Sequence, residues 1–175
     1  MNQLNHKRIA FRAPEPEDLD LFYRWENDAS LWKYGSTPAP VSRFLLRDYL
    51  KLEGEDIYSK RQQKMVVLLK ESNEPIGTID LFDFDPYHNR AAIGMMIDSS
   101  FQGKGYAFET VELLIEYAFS YLHIHQLYVE IPTSNVPCYR LFSKLNFHLC
   151  TTLKEWIRGE NGYEDLYLMQ LINDK

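Results

Sequence analysis

The sequence predicts an α+β fold built on a mixed sheet, and three observations carry that prediction. Strand-like and helix-like runs follow one another in the order β-α-α-β-β-β-α-β-α-β-β, which is not the regular alternation of a parallel chain. The three middle strands are joined by connections so short that they suit antiparallel hairpins. Phe101-Gln102-Gly103-Lys104-Gly105-Tyr106-Ala107 then leads from an apolar run into a long amphipathic one. It reads as the end of a strand, a glycine-bearing turn and a helix N-terminus.

From the N-terminus, Arg8 to Arg12 alternates as a strand does, and Pro14 to Asn27 carries a helical apolar stripe of Leu19, Phe22, Tyr23 and Trp25. The loop Gly35-Ser36-Thr37-Pro38-Ala39-Pro40 follows, and Ser42 is placed to cap a second helix ending near Gly54. Gln63 to Lys70, Ile76 to Phe84 and Ala91 to Asp98 are strands, parted by Asn73-Glu74-Pro75 and by Asp85-Pro86-Tyr87-His88-Asn89. Gly94 inside the last of them fits a bulge or close packing. After Gly105 the residues Phe108, Val111, Ile115, Ala118, Phe119 and Leu122 recur at helical spacing, which puts Glu109, Glu112 and Glu116 on the opposite face. Gln126 to Ile131 is a strand and Asn135 to Leu145 a helix. Phe147 to Ile157 and Tyr163 to Ile172 are a closing pair of strands about the Arg158-Gly159-Glu160-Asn161-Gly162 turn.

With 175 residues, 45% of them hydrophobic, the chain from 1 to 175 is the size of one domain with a sizeable core. No apolar run approaches the roughly 20 residues of a membrane span, and the first residues lack the apolar stretch of a signal peptide. Cys138 and Cys150 cannot build a disulfide framework or a zinc site by themselves, so a reducing cytoplasm suits the chain. His123-Ile124-His125 offers a metal pair without a third ligand and reads better as a helix-to-strand connection, so no metal is expected. A net charge of −6 argues against nucleic-acid binding and mildly favours a cationic substrate.

The glycine turn is an anion site in waiting, because its backbone N–H groups and the helix dipole converge there. A P-loop would need glycine at position 98 and Ser or Thr at 105, where this chain has Asp98 and Gly105. A dinucleotide fingerprint would need Gly or Ala at position 108, which is Phe108, and the turn follows antiparallel strands rather than opening a βαβ unit. A third pattern, Gln/Arg-x-x-Gly-x-Gly/Ala, is matched by Gln102, Gly105 and Ala107. Asn135-Val136-Pro137-Cys138-Tyr139-Arg140-Leu141-Phe142-Ser143-Lys144-Leu145-Asn146-Phe147 supplies a second motif one helix and one strand later. Together they resemble the pyrophosphate loop and the Asn-x-x-Ala/Ser-x-x-Leu-Tyr-x-Lys-x-Gly-Phe helix of the GNAT superfamily of acyl-CoA-dependent N-acetyltransferases. The resemblance runs from about Ile9 to Leu171. Phe11-Arg12-Ala13-Pro14 with Asp18, and Gly162-Tyr163 with Asp165, are similar to the branch holding bacterial spermidine and ribosomal-protein N-terminal acetyltransferases.

The resemblance implies a mostly antiparallel central sheet flanked by helices and splayed between strands 4 and 5, with pantetheine in the gap. It implies that backbone groups of Met95, Met96 and Ile97 bond the pantetheine amides. The N–H groups of Gly103, Lys104, Gly105, Tyr106 and Ala107, after Gln102, would hold the pyrophosphate, Asn135 would reach the pantetheine arm, and Gly94 would be a bulge. Acetyl-CoA is then the cosubstrate and a primary amine the acceptor, joined by direct attack in a ternary complex.

Phe142 occupies the position of the family's helix tyrosine, against the cofactor, yet has no proton to give a leaving thiolate. Tyr139, three residues earlier, is the substitute, unless water serves. An alkyl ammonium must lose a proton before it attacks, and Glu26, Asp28, Asp80, Asp83 and Asp85 lie near the acceptor mouth. Asp83 is the favoured acceptor, and strand alternation sets it on the face opposite Asp80 unless a bulge intervenes. Cys138 reads as a packed small residue, and Trp25, Trp32 and Tyr34 as core or pocket walls. Asp28 to Tyr34 and Ile79 to Asp83 are similar to segments of spermidine acetyltransferases. Gly35 to Pro40 holds no carboxylate, however, and Ala92 stands where that branch has an acidic residue. The expected acceptor is a small polyamine or diamine. A protein N-terminus and an acyl-CoA-binding module with little turnover are the alternatives, and homo-oligomerisation is left open.

Overall fold

Alternating apolar residues decide which way each strand faces, and the strands assemble accordingly. The computed structural model describes residues 6–29, 39–51, 56–159 and 162–174. Among them, β1 (Ile9–Arg12), β2 (Gln63–Leu69), β3 (Pro75–Asp85), β4 (Arg90–Ile97), β5 (Gln126–Pro132), β6 (His148–Gly159) and β7 (Gly162–Ile172) form one sheet in the order β1-β2-β3-β4-β5-β7-β6. Every neighbouring pair is antiparallel except β4 with β5, so the mixed, mostly antiparallel sheet is as expected. No helix among the described residues is long and apolar enough to cross a membrane.

Ile9, Met65, Val67, Ile79, Leu81, Ala91, Ile93, Leu127, Val129 and Met169 point to one face of the sheet. Val111, Leu113 and Leu114 of α4 (Tyr106–Glu116) and Phe142 of α5 (Val136–Lys144) cover that face. On the other face Val66 meets Phe22 of α1 (Leu19–Glu26) and Leu46 and Leu50 of α2 (Arg43–Lys51). Ser42 caps α2 as expected, its Oγ accepting from Leu45 N–H at 3.1 Å. The predicted end of that helix near Gly54 lies outside the described residues, as do Trp32, Tyr34, Gly35 to Pro38 and part of the Arg158 to Gly162 turn. A short helix α3 (Ile57–Lys60) was not expected; Asp56 caps it through the N–H groups of Tyr58 and Ser59.

Two expectations need correction, and a third point left open by the sequence is decided. Glu109 is not on the solvent side of α4. It is only 8% exposed, gripped by the backbone N–H of Arg8 at 3.1 Å and the Arg8 Nε at 2.6 Å. The first strand crosses the start of the helix, a contact no helical spacing can reveal. Leu113 and Leu114 take the buried positions instead. Second, Gly94 keeps regular register with Asp80, between Ile93–Leu81 and Met95–Ile79, so close packing and not a bulge explains it. Third, the bulge lies at Asp83, where the β3–β4 register shifts between Phe82 and Asp85 and Asp83 takes φ +48°. The extra residue returns Phe84 to the core face at 4% exposure.

The entry to α1 rests on an ion pair. Arg12 donates to both Asp18 oxygens at 2.6 and 2.7 Å, and the Glu15 N–H donates at 2.8 Å. Burial pushes the Asp18 carboxyl up, but Arg12 and the Glu15 amide outweigh it and hold the group below its usual range. Its contribution is therefore complete above the unfolded value of roughly 4 and is lost as pH falls through the lower folded value. Asp18→Asn is expected to cost about 2–3 kcal/mol at pH 7, between an exposed and a fully buried pair. It should also flatten the acid limb of a plot of Tm against pH. An unchanged acid limb would show that other carboxylates govern it.

Candidate active site

β4 and β5 run side by side only where Arg90, Ala91 and Ala92 face Gln126, Leu127 and Tyr128. Beyond Ala92, β4 keeps its rungs to β3 as far as Ile97–Gly77, and β5 keeps its rungs to β7. The two strands part, and the backbone groups of Ile93, Met95 and Ile97 on the gap side of β4 have no strand partner among the described residues, whereas Met96 turns its carbonyl toward Gly77 of β3. Backbone groups left so can pair with an extended chain that carries amides.

The glycine turn closes the far end of this gap. Asp98 begins it, accepting from the Ser100 N–H at 3.0 Å and from the indole Nε1 of Trp25 at 2.9 Å. Trp25 is thereby both buried and tied to the turn. The indole hydrogen bond, with the Ser100 amide and Arg24, holds the Asp98 carboxyl below its usual range against its burial. Gln102 is exposed, yet its Nε2 donates to the Ile97 carbonyl at 2.8 Å and pins the turn to the strand end. Gly103 and Gly105 take φ +74° and +84°, a region costly for residues with a Cβ. α4 then starts at Tyr106 with no side chain capping its first turn, so its leading N–H groups are presented at the positive end of the helix dipole. Lys104 folds back on the Ser100 carbonyl at 3.0 Å.

Arg8 is the residue that sequence reasoning missed. Its Nη2 donates to the Lys104 carbonyl at 3.0 Å, and its guanidinium lies 4.5 Å from the Tyr106 ring centroid. Nothing near Arg8 in the sequence marks it, because its carboxylate partner Glu109 is 101 positions away.

α5 approaches the gap from the other side. Asn135 caps it, its Oδ1 accepting from the Cys138 N–H at 3.3 Å. Burial pushes the Cys138 thiol up to about 11, so it is a packed side chain and not a nucleophile near neutral pH. Tyr139 packs against Tyr167 of β7, ring centroids 5.1 Å apart. Phe142 is 1% exposed and meets Phe147 edge-on at 5.0 Å; it sits in the core below the helix.

On the α1–α2 side of the sheet, paired residues share a face, so Lys64, Asp80 and Gly94 line up across three strands. The Asp80 Oδ2 accepts from Gln62 Nε2 at 2.9 Å. Lys64 Nζ stands 4.0 Å from that oxygen and 3.9 Å from Glu26 Oε1. Asp83 is exposed on its bulge, and its charge is felt by Tyr128, whose hydroxyl is raised first by burial and then by Asp83 and Glu130. Asp85 is a turn residue: it accepts from the His88 and Tyr87 N–H groups and pairs with Arg90 at 3.5 Å. His123 and His125 border a surface cavity of about 450 Å³ at the opposite end of the sheet from the glycine turn. No three His, Cys, Asp or Glu side chains converge there or elsewhere among the described residues as metal ligands would.

The arrangement thus offers a strand-like gap, an anion-receptive turn at one end and carboxylates with an ammonium on the adjoining face. Comparison with known proteins agrees with that layout. A family model described as an acetyltransferase (GNAT) domain matches residues 8–148. The spermidine N(1)-acetyltransferase of Escherichia coli K12 is 27% identical over 139 residues, 79% of this chain and 72% of that protein. A crystal structure of spermidine N-acetyltransferase from Vibrio cholerae in complex with CoA and spermine superposes with a TM-score of 0.86 at 23% identity, covering 97% of this chain and 98% of that one. The ribosomal-protein-S5-alanine acetyltransferase of Vibrio fischeri gives a TM-score of 0.84 at 19% identity, covering 98% and 96%.

Proposed function

This chain belongs to the GNAT acetyltransferase family and is an acetyl-CoA-dependent N-acetyltransferase, and we propose that its acceptor is the primary amine of a small polyamine or diamine. One observation carries the choice. Lys64 places an alkyl ammonium between Glu26 and Asp80, on the face that adjoins the open edge of β4. Two carboxylates beside one ammonium leave an excess of negative charge there, which favours a further cation.

In this reading pantetheine lies in the β4–β5 gap, its amides bonded by backbone groups of Met95, Met96 and Ile97. The Ile97 carbonyl is occupied by Gln102 and the Met96 carbonyl turns to β3, which leaves Met95 the larger share. The N–H groups from Gly103 to Ala107 take the pyrophosphate. Arg8, neutralised by Glu109, holds the Lys104 carbonyl so that the turn keeps its N–H groups outward, and the amide nitrogen of Asn135 serves the pantetheine arm. Tyr139 is the phenol on α5 that stands in for the family tyrosine missing at Phe142. Gln102→Glu tests the donor side. A carboxylate there would oppose both the Ile97 carbonyl and the pyrophosphate, so acetyl-CoA binding should weaken about tenfold or more by calorimetry. Affinity within twofold of the parent would mean the turn is not the pyrophosphate site.

The acceptor is tested by CoA release across diamines, polyamines, amino acids and short peptides. The reading expects the highest kcat/KM with diamines or polyamines. Turnover confined to peptides would assign a protein N-terminus instead. Acetyl-CoA binding with no CoA release from any amine would sink both.

A further inference from the structure

We propose that Asp80 is the catalytic group that takes the proton from the incoming ammonium, an inference that rests on the amine-acceptor reading above. Four observations converge on it. Asp80 faces Gly94 across the β3–β4 ladder. A Cβ on Gly94 would overlap Asp80 Oδ1, so the carboxylate lies directly over the β4 backbone at that residue. Residue 94 is two positions past the last β4–β5 rung, at Ala92, where the sheet has just opened. Oδ2 is held by Gln62 and neighboured by Lys64, whereas Oδ1 makes no hydrogen bond among the described residues. One carboxylate oxygen is thus fixed and the other is aimed at the mouth of the gap.

Asp83, by contrast, is turned outward by its own bulge. The glycine at position 94 acquires a reason too: any side chain there would fill the space Asp80 occupies. The missing acidic residue at Ala92 on β4 is compensated from the neighbouring strand.

The proton balance follows. Asp80 Oδ1 accepts one proton from R–NH3+, and the freed lone pair attacks the thioester carbonyl carbon. The C–N bond forms, then the C–S bond breaks and the sulfur leaves with the bonding pair. The nitrogen gives up its second proton to solvent as the amide forms, and the thiolate takes a proton, through Tyr139 in the scheme above. One proton is released overall, from Asp80 to water. Among the described residues, the charged and titratable groups facing Asp80 are Lys64 from β2, Glu26 from α1 and Tyr49 from α2, whose ring centroid is 5.6 Å from Lys64 Nζ.

The test compares Asp80→Asn with Asp83→Asn, each assayed with the best amine and titrated with acetyl-CoA. Asp80→Asn is expected to bind acetyl-CoA within twofold of the parent and to lose about 10²–10³ in kcat at pH 7. Its rate should then keep rising about tenfold per pH unit toward the amine's own pKa. A weakly basic amine that arrives uncharged should recover most of the loss, which a structural role for Asp80 would not produce. Asp83→Asn should stay within about threefold. Should Asp80→Asn not fold, Asp80→Glu is expected to keep a measurable part of the rate with the parent's pH dependence. Asp80→Asn turning over at the parental rate and pH dependence, the defect appearing in Asp83→Asn instead, or an equal defect for charged and uncharged amines would each overturn the assignment. A parent that releases no CoA with any amine overturns the acceptor reading and this inference together.

Discussion

Gly77→Ala is expected to lower stability by about 3 kcal/mol and to weaken acetyl-CoA binding in the same protein. Gly77 is buried in β3 opposite Ile97. A Cβ there would overlap the carbonyl oxygen of Met96 and stand 3.0 Å from the Ile97 Cα. These are backbone atoms of the next strand, and no rotamer change can move them. Relief requires β3 and β4 to separate at their glycine-turn end, where the Ile97 carbonyl anchors Gln102 at 2.8 Å. The displaced stretch, Met95 to Ile97, is the one proposed to bind pantetheine. Urea unfolding and a calorimetric titration of acetyl-CoA read the two effects side by side. A loss below about 1 kcal/mol with unchanged affinity would show that the strand end has slack and that the turn does not depend on it.

Phe142→Ala is expected to cost about 3–5 kcal/mol, while Phe142→Leu should cost about 1.5 kcal/mol or less and retain turnover. Phe142 is fully buried and packs edge-on against Phe147, joining α5 to the residue that precedes β6. Its removal leaves a cavity, whereas leucine fills most of it. The pair of variants separates packing from chemistry at the position where the family has its proton donor. A leucine variant that unfolds less than the alanine variant yet loses turnover would return a functional role to the aromatic ring itself. Parental turnover in Phe142→Leu leaves proton supply to Tyr139 or water, as proposed.

How much was legible can be judged from individual residues. The turn at Gln102 to Ala107 and the helix from Asn135 were readable because each is a local device, glycine at positive φ and a helix start; that the Asn135 side chain caps the helix came from the structure. The hairpins of β2, β3 and β4 were readable from short connections and apolar alternation. Glu109 was misassigned because helical spacing cannot see β1 crossing the first turn. Whether Asp80 and Asp83 share a face was not legible, because a bulge in β3 breaks the alternation and only the register with β4 reveals it.

By itself, then, the sequence determined the α+β class, the order of the strands and main helices, the anion-receptive turn and the family. Each rests on patterns whose own members lie within a few positions of one another, where backbone sterics and periodicity act directly. Only the tertiary structure decided which carboxylate overlooks the opened edge of β4, that Gly94 makes room for it, and that Arg8 stands behind the turn. Those outcomes depend on cross-strand register and on contacts about a hundred residues apart. Such contacts form only when the whole sheet closes, so no local pattern encodes them.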